Sequence, residues 1–275
     1  MAGASQVMLM RCQACGSLMP RPSASGLGAY DNYYTQRPKR GPLRRWLRGA
    51  LDLTRRRYMD RSTPSSAHRV LDFGCGDGGY LDRVAGADRI CFGTDLIEPR
   101  RPESTWTWLE HADLVSTAPF DWITLGHVVE HLADPAAAVS HLSARLVPGA
   151  ALWIATPNAD SFLFKCAGRW ARDVDYPRHL TIFSRLSLEN LVNREGLTAT
   201  FSAPPRLNAV LNTISSLRNM LHDDEAPLLT RITVALMTLA ALTRHMVQTR
   251  GLRDQSSPEL VAICRLSSSV PPPAR

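Results

Sequence analysis

Between Arg69 and Leu266 the apolar positions of the chain alternate between two rhythms. Short runs rich in β-branched and aromatic residues, bounded by acids, glycines or prolines, read as buried strands. They are Arg69–Phe73, Ile90–Asp95, Trp106–Leu109, Asp121–Leu125, Ala151–Thr156, Thr198–Ser202 and Glu259–Leu266. Helical signals lie between them. Gly79–Ala85 starts one helix. Asp134 caps another, with Pro135 at its first position, and this one runs to about Leu146. Val147-Pro148-Gly149 reads as a turn into the fifth strand. Ser184–Glu195 places Leu186, Leu188, Leu191 and Val192 at helical spacing, and Gly196 stops it. Strands alternating with helices predict an α/β fold with a doubly wound, mostly parallel seven-stranded sheet.

The flanking segments break this rhythm. Residues 1–66 form an N-terminal extension. It carries the pair Cys12-x-x-Cys15 and a basic helix over 42–60, in which Leu43, Trp46, Leu47 and Leu51 recur among arginines. The cysteine pair is half of a zinc ribbon. A closed structural site takes four ligands, so the pair is read without a metal. The core is expected over 67–203, a helical insertion over 204–258, the last core strand over 259–266 and a disordered tail over 267–275.

Composition adds constraints. The chain has 275 residues, 44% of them apolar, as in an ordinary soluble protein. Its longest uncharged apolar run, Ile232–Thr243, falls short of the ~20 residues a spanning helix needs. The start has no basic region followed by a long apolar one, and six cysteines make no disulfide framework. A cytoplasmic location is expected. The net charge of +7 is concentrated, because Arg37–Arg61 holds ten basic and two acidic residues. No recognised nucleic-acid module accompanies that cluster, so no nucleic-acid partner is expected. Arginines interleaved with leucines and Trp46 fit an interfacial helix. LLTRITVALMTLAALTRHM is apolar nearly all round. Together they suggest peripheral membrane contact through 42–60 and 228–246.

The chemistry is concentrated in VLDFGCGDGGYL, Val70–Leu81. Gly74, Gly76 and Gly79 fit the dinucleotide fingerprint, whose pyrophosphate rests on a helix N-terminus. A carboxylate at Asp72, just ahead of the turn, would repel a diphosphate and suit a cationic ligand. Asp95 ends the next strand, where an acid grips ribose hydroxyls. Asp113, after the third strand, is placed to accept from an adenine amino group.

These stretches resemble the class I S-adenosylmethionine-dependent methyltransferases. VLDFGCGDGG looks like their first motif, with Asp72, Gly74, Gly76 and Gly78 on the acid-x-Gly-x-Gly-x-Gly pattern. GTDLIEP resembles the second, and FDWITLGHVVEHLADP with LVPGALWIATPN resembles the region around strands four and five. DVDYPRHLTIFSRLSLENLVNREGL is similar to a segment of bacterial small-molecule methyltransferases akin to the ubiquinone-biosynthesis O-methyltransferases. The resemblance implies an enzyme that binds S-adenosylmethionine through Asp72, Gly74, Cys75, Gly76, Gly78, Asp95, Leu96 and Asp113. It implies transfer to a small-molecule acceptor, with a glycan or a lipid-linked compound as candidates.

Candidate bases follow the fourth strand: His127, Glu130 and His131, with His179 from a later loop. If GHVVEHL is helical, spacings of three and four put the first three on one face. The set also offers ligands for a divalent cation, but relatives that bind one carry Glu where this chain has His127, so metal is not favoured. A structural role, with Glu130-His131 fixing the helix start, stays open. So do two other functions, a nucleotide-dependent oxidoreductase and a catalytically silent partner protein.

Overall fold

The computed structural model of the chain describes residues 7–22, 53–86, 88–99, 105–117, 119–221, 227–247 and 257–266. The basic residues 42–52 and the tail 267–275 lie outside that set. The chain divides into two compact units. One comprises Met1–Asp52, Pro157–Ser187 and Ala203–Leu260; the other comprises Leu53–Thr156, Leu188–Ser202 and Val261–Arg275.

The second unit is built on the sheet. Its strands are β3 (Arg69–Phe73), β4 (Ile90–Thr94), β5 (Thr107–Trp108), β6 (Phe120–Gly126), β7 (Leu146–Pro157), β8 (Leu197–Ser202) and β9 (Glu259–Leu266), in the order β5-β4-β3-β6-β7-β9-β8. The pairs from β5 through β7 are parallel, whereas β8 and β9 are antiparallel. All seven strands read from the sequence are present. Their centres are buried on both faces: Val70, Leu71, Ile123, Leu125, Leu152 and Ile154 have no measurable exposure. This is why they read as continuous apolar runs rather than alternating ones.

Strand order reverses between β3 and β6, so their carboxyl ends flank a crevice where ligands of such sheets bind. The turn expected at Val147–Gly149 is instead absorbed into β7. Pairing with β6 slips between Phe120 and Trp122, and Gly149 takes φ +84. The chain bulges there without leaving the sheet.

Helix α1 (residues 53–62) precedes β3. Arg56 pairs with Asp77, Arg83 with Asp60, and the Tyr58 hydroxyl lies 2.8 Å from Ser202 Oγ. Part of the basic cluster therefore serves the sheet unit itself. Next come α2 (Leu81–Val84), α3 (Leu114–Thr117), α4 (Pro135–Ser143) and, in the other unit, α5 (Phe162–Ala167). Asp134 caps α4 as expected, accepting from Ala137 N. Helix α6 (Arg185–Asn193) then leads to β8.

In the first unit β1 (Val7–Arg11) and β2 (Leu18–Pro22) form an antiparallel hairpin. It packs Val7 and Leu18 against Leu163, Phe164, Val174 and Ile182. Cys12 and Cys15 sit in its turn. Backbone and thiol bonds from Cys15, and the backbone of Ala14, draw the Cys12 thiol pKa down. The insertion supplies two helices among the described residues, α7 (Arg206–Leu221) and α8 (Leu228–Val247). No described helix is long and apolar enough to cross a membrane.

Candidate active site

The glycine turn begins where β3 ends. Asp72 pairs with Gly93 of β4 and Thr124 of β6, so its side chain sits at the point where the strand order reverses. It is buried, and Oδ1 accepts the Thr124 hydroxyl at 2.6 Å. Burial pushes its pKa up to about 7; the Thr124 bond opposes this, and Asp95 and Asp77 add to it. A positive group placed beside Asp72 would return it to the ionised form. A phosphate would push it further toward neutrality.

Past Asp72 the backbone is held by its neighbours. Gly74 N and Cys75 N both donate to Thr94 O, at 2.8 and 3.1 Å. Gly76 N donates to Asp95 Oδ2 at 2.8 Å, while Leu96 N donates to Oδ1. Both oxygens of Asp95 are thereby oriented, and each keeps acceptor capacity for a ligand hydroxyl. The Leu96 side chain is exposed.

Gly74 and Gly76 both lie in the left-handed region, at φ +81 and +56, for different reasons. A Cβ on Gly74 would fall 2.3 Å from Val128 Cγ2. One on Gly76 would meet nothing within 4 Å. Gly74 is demanded by packing, and Gly76 leaves open space where a ligand can approach the backbone closely. Gly74→Ala is therefore expected to cost about 2–4 kcal/mol of stability from backbone strain plus overpacking. Gly76→Ala is expected to cost about 1–2 kcal/mol and chiefly to weaken ligand binding. Thermal unfolding with and without ligand separates the two.

Around the turn, Cys75 is buried, and burial with nearby Asp72 and Asp95 pushes its thiol pKa far up. It is a small neutral wall residue rather than a nucleophile. Gly78, at φ +71, lies against the Trp106 ring. Asp113 stands exposed in the turn His111–Asp113. His111 is exposed, and its ring packs edge-on against Phe73, 5.4 Å between centroids, with Nδ1 3.4 Å from Thr94 Oγ1. Phe73 and Thr94 end β3 and β4, so His111 stands beside the crevice. Its place two residues before Asp113 was the available signal. Thr124, Val128 and Arg56 were also missed, because their partners are distant in sequence.

The expected helix over 127–131 does not form. His127 takes φ +60 and donates its N–H to Ala155 O at 2.8 Å, which extends the β6–β7 ladder by one residue. A right-handed helix cannot start from that conformation, and only a single 3₁₀ turn, Val129–His131, follows. The sharp turn still brings the three residues close, and a ring nitrogen of His131 lies within 4.8 Å of a carboxylate oxygen of Glu130. His127 Nδ1 lies 3.1 Å from Glu130 Oε1, and Thr156 Oγ1 donates to Glu130 Oε2 at 3.0 Å. Glu130 is wholly buried. Its carboxylate fixes the His127 ring and leaves Nε2 as the basic nitrogen. His131 is half-buried, its N–H bonded to Val128 O. His179 belongs to the other unit, where it is buried, with Nδ1 2.6 Å from Asp173 O. A carbonyl only accepts, so Nδ1 carries the proton.

An acid beneath the turn, a second acid oriented at the next strand end and an open glycine between them fit S-adenosylmethionine. Asp72 suits its cationic end, Asp95 its ribose and Gly76 its close approach.

Comparison with known proteins agrees with this geometry. Residues 43–200, more than half of the 275, match the family model described as a methyltransferase domain. The chain is 33% identical over 132 residues to the ubiquinone biosynthesis O-methyltransferase of Xylella fastidiosa, covering 43% of this chain and 53% of that protein. It is 30% identical over 129 residues to the protein so named from Thiobacillus denitrificans, covering 42% and 56%. The chain thus spans about half the length of these curated relatives. The solved structure of a cyclopropane-fatty-acyl-phospholipid synthase-like protein from Lactobacillus casei aligns with a TM-score of 0.50 at 14% identity, over 82% of this chain and 94% of that one, a likeness of fold alone. With the acid-headed glycine turn at the reversal of strand order and a matching family model over residues 43–200, the chain belongs to the methyltransferase-domain family.

Proposed function

We propose that the chain catalyses transfer of a methyl group from S-adenosylmethionine to an oxygen atom of a small-molecule acceptor. The observation that carries this reading is the pair of carboxylates, Asp72 and Asp95, flanking a turn whose Gly76 faces open space. The sulfonium of the bound donor supplies an activated methyl group. Asp72 holds positive charge, Asp95 accepts from ribose hydroxyls, and the turn fixes the donor in line with an acceptor. Holding reactants in line can itself lower the barrier by about 7–11 kcal/mol. His127 takes the proton of the acceptor hydroxyl on Nε2, while Glu130 acts as a positioning residue through Nδ1. The relatives named for O-methyl transfer support oxygen as the accepting atom.

An oxidoreductase reading fares worse. A dinucleotide would set its pyrophosphate on a turn that already has Asp72, Asp77 and Asp95 around it.

Incubation with methyl-labelled S-adenosylmethionine and a panel of phenolic, glycan and lipid-linked hydroxyl acceptors tests the proposal. Label is expected in one acceptor class, with transfer cut about tenfold or more in Asp95→Ala through lost charged hydrogen bonds. Donor binding without transfer to any acceptor would make the protein a silent partner. Absence of donor binding would refute the assignment.

A further inference from the structure

The β1–β2 hairpin has an inner and an outer face, and the outer one gathers sulfur. Strand residues two apart share a face, and so do residues directly paired across an antiparallel ladder. Val7, Leu9 and Leu18 lie on the inner face, packed on the core of the first unit. Met8 and Met10 lie on the outer face, 56% and 51% exposed, and Met10 pairs directly with Met19. Cys12 N donates to Ser17 O at 2.9 Å. This bond continues the ladder by one pair and sets Cys12 on the same face as Met10. The turn then folds Cys15 back toward Cys12. Its thiol lies 3.3 Å from Ser17 Oγ, and its backbone and thiol both bond to the Cys12 sulfur. Cys12, Cys15, Met10 and Met19 are thereby gathered at the turn end of one hairpin face.

The donor atoms decide what such a site holds. Structural zinc takes four ligands drawn from thiolate, imidazole and carboxylate. Residues 1–67 contain no other cysteine and no histidine. Among the described residues, no acid or histidine joins the pair as a third ligand. Thiolate and thioether are soft donors, and together they favour Cu(I). That closed-shell ion is satisfied by two thiolates, with thioethers completing its surroundings. Three of the chain's eight methionines lie within residues 7–22, and two of these are exposed, where core packing does not require them. The other four cysteines of the chain, Cys75, Cys91, Cys166 and Cys264, are buried.

We propose that the outer face of the β1–β2 hairpin binds one Cu(I) ion between the thiolates of Cys12 and Cys15, with the thioethers of Met10 and Met19 beside it. The site lies wholly within the first unit, so its test does not stand or fall with methyl transfer.

The test is anaerobic titration of the full, reduced chain with Cu(I) in competition with the chromogenic chelator bathocuproine disulfonate. One ion per chain is expected, and an equal concentration of Zn(II) should not displace it. Cys12→Ser with Cys15→Ser is expected to weaken binding at least about a hundredfold, because both ligands are lost. Met10→Leu with Met19→Leu keeps the apolar volume and is expected to weaken it about tenfold. Unchanged melting and unchanged S-adenosylmethionine binding identify folded variants. X-ray absorption at the copper edge gives a second readout, with sulfur as the scatterer around the ion. Full binding by the cysteine variant would overturn the proposal. An unaffected methionine variant would do the same, as would nitrogen or oxygen as the main scatterer. One ion per two chains, with dimerisation only when it is present, would assign the thiols to a site shared between copies instead.

Discussion

Replacing His127 with alanine is expected to lower kcat by about 10²–10⁴-fold, the usual worth of a positioned general base. The affinity for S-adenosylmethionine should stay within about threefold, because Gly74, Cys75 and Gly76 of the turn donate to Thr94 and Asp95. The split between kcat and donor affinity distinguishes a base from a residue that shapes the donor site. Glu130→Gln keeps the volume but weakens the grip on Nδ1, so a smaller loss, about tenfold, is expected. His127 also occupies a left-handed backbone conformation at φ +60, which costs a non-glycine residue about 1 kcal/mol or more. His127→Gly should lose the same activity and relieve that strain, with no net gain in stability because buried Glu130 loses a partner. Such strain at a functional residue persists because the Ala155 and Glu130 contacts over-determine it.

The second large effect concerns Asp72. Its pKa in the folded chain, about 7, lies well above the ordinary 3.8. A carboxyl whose folded pKa is raised is an expense to the fold once ionised. The penalty is absent below about pH 4, grows as pH rises toward 7, and is full above it. Asp72→Asn keeps an oxygen to accept from Thr124 and removes the charge. The variant is expected to be more stable than the parent, with the difference widening by roughly 2–3 kcal/mol between pH 5 and pH 8. Denaturant unfolding at the two pH values measures it. Donor binding should move the opposite way. A cationic ligand favours ionised Asp72, so parental affinity should fall about tenfold per pH unit below 7 and level off above it. The Asn variant should bind more weakly at pH 8 and show no such slope. A variant that loses stability at pH 8, or retains the parental pH profile of binding, contradicts the role given to Asp72.

How far the sequence foretold these features depended on range. The sheet was legible because its inner strands are buried on both faces and centre on apolar runs, as RVLDF at β3 shows. The glycine turn and its two acids were legible because strand, turn and helix are contiguous. What lay hidden was contact between remote segments. Nothing near Asp72 announces Thr124, 52 positions away. Nothing near Gly74 announces that Val128 will fill the space of its missing side chain. The His127–Glu130 pair was legible as residues but not as geometry, since helical spacing suggested a helix and a left-handed turn achieved the proximity instead. Val147–Gly149 was misjudged in the same way. Proline and glycine there signal a turn, yet neighbouring strands on the sheet accommodated them as a bulge. The apolar character of 228–246 was legible and suggested membrane contact, but which residues of α8 face outward and which lie on the buried side with Val234 was not.

The most direct test of the central claim is calorimetric titration of the unliganded protein with S-adenosylmethionine, NAD and ATP under one set of conditions. A buried acid at the head of the glycine turn predicts binding of S-adenosylmethionine at least about a hundredfold tighter than either phosphorylated nucleotide. Comparable or tighter binding of NAD or ATP, with the phosphates seated on Gly74–Gly78, would contradict it.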